Sequence, residues 1–154
     1  MTPDFPESQI QSYVNQYIST RIFGRRRILL HPIIISPDDE HYLGWDTGFD
    51  LPWLPLRHNT NHGCNLFIQY KRAKQITSDK GAEWRAWQEA YYKFKFFYSK
   101  KDSATNLQYE DFTQYDQMRA LASEGYLSLY ISNSTLERAV LLRGDPTNPL
   151  KYCG

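Results

Sequence analysis

The chain has 154 residues, of which 41% are hydrophobic, 23% charged and 16% aromatic, the profile of one soluble globular domain with its own core. A formal net charge of +1 excludes a polybasic protein that holds nucleic acid by bulk attraction, and 2 cysteines exclude a disulfide framework. No run nears the roughly 20 apolar residues of a spanning helix, and the first residues, MTPDFPESQIQ, lack a secretory pattern, so a cytoplasmic protein with no membrane partner is expected.

In chain order, Ile10, Tyr13, Val14, Tyr17 and Ile18 recur at helical spacing after Pro6, predicting a first helix over 7–20 that Gly24 ends. Residues 27–35 read as an extended apolar segment broken at Pro32. Ser36, Pro37, Asp38 and Asp39 form a helix-start signal: serine caps, proline suits the first turn and acids favour the positive end of the dipole. A short helix over 37–43 follows, closed by Gly44 and carrying Glu40.

Alternation over 45–51 predicts a strand with Trp45, Thr47, Phe49 and Leu51 on one face and Asp46, Gly48 and Asp50 on the other. Residues 52–63 read as a long turn. Over 65–71 a second strand sends Leu66, Ile68 and Tyr70 one way and Phe67, Gln69 and Lys71 the other. Residues 72–89 are polar with a helical patch near Trp84 and Trp87, and AYYKFKFFY over 90–98 predicts a third strand. A loop over 99–107, a helix over 109–123 stopped by Glu124-Gly125, a fourth strand over 126–131 and an irregular tail from about 133, with a brief strand at 138–142, complete the reading. The fold class is therefore α/β, a single domain with a central mixed sheet of about four strands flanked by helices.

Charge is segregated. Arg21, Arg25, Arg26 and Arg27 lie in a stretch with no acid between Glu7 and Asp38; Asp38, Asp39, Glu40, Asp46 and Asp50 follow with no Lys or Arg among them; and residues 71–101 are again basic. An acidic cluster between two basic segments is what a metal-dependent phosphodiesterase needs, the acids holding a hard cation and the bases the polyanion. The same runs are also compatible with solvated faces.

The segments Glu40-His-Tyr-Leu-Gly44-Trp-Asp46 and Leu66-Phe-Ile-Gln69-Tyr-Lys71, supported by Tyr91-Tyr92-Lys93-Phe94 and by Gln114-Tyr-Asp-Gln-Met118 ahead of the fourth strand, carry a resemblance. In this order, over residues 36–132, the chain resembles the PD-(D/E)xK nuclease superfamily, with the restriction-endonuclease-like fold, in the variant that has glutamine in place of the second acid. Gln69 and Lys71 leave one face of a strand, and a neighbouring strand can bring Asp46 there. Asp46, Glu40, the Gln69 side-chain oxygen and the Tyr70 main-chain carbonyl would offer hard ligands to Mg²⁺ or Mn²⁺. The ion would polarise a scissile phosphate and activate water, with Lys71 steadying that water or the developing charge. The resemblance assigns those roles to the matching positions, and neutral Gln69 removes one negative charge from the site. Asp50 shares the predicted face of Asp46, but only Asp46 matches the motif.

The expected activity is a metal-dependent DNA endonuclease, the resemblance favouring restriction or defence. Arg25, Arg26, Arg27, Arg72, Lys74, Lys93 and Lys95 would contact phosphates, and the Gln114 amide would reach either the site or a phosphate. Trp84, Trp87, Tyr91 and Tyr92 are read as core or as base-stacking residues. A homodimer or a partner subunit would complete the sheet or the DNA grip. Two rival readings are a catalytically silent domain of this fold that binds nucleic acid or a protein, and a zinc-stabilised interaction module built on His58, His62 and Cys64 with His31, His41 or Cys153 as a fourth ligand.

Overall fold

The computed structural model describes residues 1–55, 63–79 and 83–143. Its elements are α1 (Glu7–Arg26), β1 (Ile33–Ile34), α2 (Pro37–Leu43), β2 (Thr47–Phe49), β3 (Leu66–Lys71), β4 (Lys74–Ile76), α3 (Trp84–Trp87), β5 (Tyr91–Lys93), β6 (Tyr98–Lys101), β7 (Gln108–Asp111), α4 (Thr113–Ser123), β8 (Leu127–Ser132) and α5 (Arg138–Arg143). The class is mixed α/β, with a four-stranded mixed sheet in the order β1-β2-β3-β8 and two separate two-stranded sheets, β4-β5 and β6-β7. No helix among the described residues is long and apolar enough to cross a membrane.

The chain divides into two compact units, one of residues 1–17, 70–94 and 131–154, the other of residues 18–69 and 95–130. In the first, the segments are tied through polar contacts. Asn133 accepts from the Ala73 N–H at 2.8 Å and donates to the Ala73 carbonyl at 3.2 Å, the Tyr70 hydroxyl donates to Asn15 Oδ1 at 2.7 Å, and the Asp4 N–H donates to the Leu136 carbonyl at 3.0 Å. Phe5, Ile10, Val14, Tyr70 and Leu141 are its large buried hydrophobic side chains. In the antiparallel β4-β5 pair Lys74 stands opposite Lys93, a like-charge juxtaposition eased by the ion pair of Lys93 with Glu83 at 2.5 Å.

The second unit holds β1, β2 and the first part of β3. Antiparallel pairing sets Ile34 opposite Thr47 and Thr47 opposite Ile68. Trp45, Cys64, Phe67, Met118 and Tyr126 form its core, with Trp45–Phe67 and Phe67–Tyr126 ring centroids 5.2 and 5.6 Å apart in edge-to-face contact. Gly48 admits the thiol of Cys64, since a Cβ there would lie 2.5 Å from Sγ. Burial, aided by the Asp50 charge, pushes the Cys64 thiol up to about 11.

Several sequence expectations change. The first helix runs through Gly24 to Arg26; an interior glycine costs only about 1 kcal/mol, and termination falls on Arg27, at φ 58°. Residues 27–35 yield only the two-residue β1. Residues 90–98 are not one strand of the main sheet: β5 pairs with β4 and β6 pairs with β7, so the fourth strand of that sheet is β1. The expected loop over 99–107 is partly strand, residues 109–111 of the expected helix belong to β7, and the brief strand expected at 138–142 lies in α5. Of the turn over 52–63, residues 56–62 lie outside the described residues.

Candidate active site

Local chemistry fixes the helix that carries the first acid. Ser36 Oγ accepts from the Asp39 N–H at 3.2 Å, Pro37 opens the helix, and Gly44 closes it at φ 78° with its N–H on the Glu40 carbonyl. Gly44 also sets how near α4 comes: a Cβ there would lie 2.5 Å from Gln117 Cβ and 2.9 Å from the Gln114 carbonyl. That close approach lets the first turn of α4 reach Glu40.

Four polar side chains of this one unit then converge. Gln69 Nε2 donates to Asp46 Oδ2 at 3.0 Å and to Glu40 Oε1 at 3.2 Å, and Gln114 Nε2 donates to the same Glu40 oxygen at 2.6 Å. Asp46, Gln69 and Gln114 are buried and Glu40 is half-buried. The Asp46 N–H donates to the Ile68 carbonyl at 2.9 Å, which anchors the acid beside β3. Asp50 is exposed.

Comparison with protein-family models, with curated proteins and with solved structures gives no match. The geometry therefore carries the argument unaided. Two carboxylate oxygens reach one point, occupied by an amide nitrogen, and a half-turn of the Gln69 amide would present its oxygen there instead. This donor set, two carboxylates and an amide oxygen, fits a hard divalent cation, which favours oxygen ligands and gains charge balance from the acids. Among the described residues no group of three or more His, Cys, Asp or Glu could hold a metal ion, so the amide is essential to the set.

Lys71 lies two residues beyond Gln69 on β3, and strand alternation directs both side chains to one face. It is buried, at 5% exposure, where a solvated strand end was the alternative. Tyr70 and Lys71 belong to the other compact unit, and the Tyr70 hydroxyl is engaged with Asn15.

The basic residues fare unevenly. Arg25, Arg26 and Arg27 are exposed, with the Arg26 guanidinium 4.8 Å from the Trp53 ring centroid. Arg72 is exposed and reaches the Phe5 carbonyl, Lys74 is exposed, Lys93 is paired with Glu83, and Lys95 sits 5.3 Å from the Phe97 ring centroid. Gln114 takes the first of its two options, the acid cluster. Trp87 is 62% exposed and stacks on Tyr91. Of the zinc set, His58, His62 and Cys153 lie outside the described residues; Cys64 is buried with its thiol pushed up, which disfavours the thiolate a metal needs.

One group was missed from sequence. Lys100 pairs with Asp111 at 2.5 Å and lies 3.4 Å from His41 Nε2, while Asp111 Oδ1 accepts from the Thr113 N–H and hydroxyl. Asp-x-Thr at a helix start is the readable half of that signal; the lysine comes from a separate strand.

Proposed function

We propose that this chain is a metal-dependent nuclease of the PD-(D/E)xK kind, hydrolysing DNA phosphodiester bonds in restriction or defence. The observation that carries the reading is the meeting of Glu40 of α2 and Asp46, ahead of β2, at the Gln69 amide of β3, the strand that ends in Lys71. A bound Mg²⁺ or Mn²⁺ would supply Lewis acidity toward the phosphate and the attacking water. Glu40 and Asp46 contribute the negative charge that holds it, Gln69 a neutral third ligand, and Gln114 fixes the Glu40 carboxylate. Lys71 provides a cation on the face of Gln69, and exposed Lys95 a phosphate contact.

The decisive experiment incubates the protein with supercoiled plasmid and Mg²⁺ or Mn²⁺. Nicking is expected, abolished by Asp46→Asn and by Lys71→Met with circular dichroism unchanged. A second reading, a catalytically silent domain, is favoured by one feature: both acids are already satisfied by amide donors from Gln69 and Gln114. DNA binding without cleavage in either metal would establish it and end the nuclease proposal.

A further inference from the structure

Among the described residues β1 is an edge strand, at the end of the β1-β2-β3-β8 order, and its neighbours in sequence are apolar and exposed. Leu29 is 63%, Ile34 60% and Ile33 41% exposed, with Phe23 and Ile28 also exposed. Ile33 and Ile34 point to opposite faces of the sheet, so both faces of the edge are uncovered. Exposed aliphatic edges favour pairing with another strand, and proteins that stay monomeric blunt them with charge. Here the charge lies to either side instead. Arg25 and Arg27 precede the edge, Asp38 and Asp39 follow it, and all four are exposed. Among the described residues neither Arg25, Arg27 nor Asp38 is held in an ion pair.

We infer that this edge pairs antiparallel with the same edge of a second copy of the chain, about a twofold axis between Ile33 and Ile34. Antiparallel self-pairing runs the segment before β1 of one copy beside the segment after β1 of the other. The basic segment of each copy thereby lies on the side of the acidic segment of the other, twice over, as an isologous contact requires. Parallel pairing would instead set arginine beside arginine. A two-residue strand supplies few ladder hydrogen bonds, so the aliphatic cover and the charge match select the partner. The inference is independent of the nuclease reading, since Glu40, Asp46 and Gln69 take no part.

Sedimentation equilibrium of the full chain tests it. A dimer mass is expected, with a dissociation constant that rises with salt and rises at least about tenfold in Ile34→Lys. The double variants Arg25→Glu/Arg27→Glu and Asp38→Lys/Asp39→Lys should each be monomeric. Mixed in equal amounts they should recover the dimer mass, because each repelling pair becomes an attracting one; recovery also shows that both variants fold. A monomeric wild type at every concentration, a dimer indifferent to Ile34→Lys, or variants that stay separate on mixing would overturn it.

Discussion

Two polar clusters in the same compact unit behave oppositely. Glu40, Asp46, Gln69 and Gln114 meet in the interior, where two acids share amide donors; Lys100 and Asp111 meet on a hairpin where the lysine is 40% exposed. In the first, amide hydrogen bonds hold the two acids, so losing one donor removes solvation from a carboxylate that water reaches poorly. The second has formal charge balance, its lysine is open to water, and Asp111, 10% exposed, keeps the Thr113 donors if the lysine is lost. Proximity of opposite charges is thus the weaker guide to stabilisation; what counts is what each group would touch if its partner vanished.

That contrast can be broken at its strongest point first. Gln69→Leu should destabilise the protein by about 3 kcal/mol, read as a lowered urea midpoint, and an unchanged midpoint would mean that the acids find other partners. Gly44→Ala should cost about 2 kcal/mol, combining the strain of φ 78° with the clash against Gln117; thermal unfolding would register it. Ser36→Ala removes only the cap of α2 and should cost about 1 kcal/mol, with amide exchange accelerating over residues 37–40.

The smallest effect should come from Lys100→Met. Lys100 and Thr113 hold the Asp111 carboxyl well below its ordinary value of 3.8, and Asp111 raises Lys100 above 10.5. A depressed carboxyl stabilises the fold above its ordinary value and loses that contribution as pH falls through the folded one; a raised ammonium does the reverse at the alkaline end. The variant should therefore differ slightly from wild type at pH 7 and converge with it toward pH 2, as a series of urea midpoints would show.

What the sequence made legible was local. The bounds of α2 follow from Ser36, Pro37 and Gly44, because caps act within one turn. β3 is legible from its apolar alternation, and its nearness to Asp46 from strand geometry. The run 90–98 misled because aromatic β propensity gives extended backbone and no partner, and pairing with β4 or β7 depends on residues far along the chain. Residues 138–142 misled for a different reason: a short apolar run does not distinguish strand from helix. The choice of Gln114 between acid and phosphate depended on how closely α4 approaches Gly44, a packing distance that periodicity does not carry.

The snug seat of Cys64 against Gly48 has a practical corollary. A sulfur that is walled in and protonated at neutral pH meets an alkylating reagent only when the surrounding strands breathe. In a Cys153→Ser background, the pace of labelling would become a clock on those openings, ticking from within the very core that holds the sheet together.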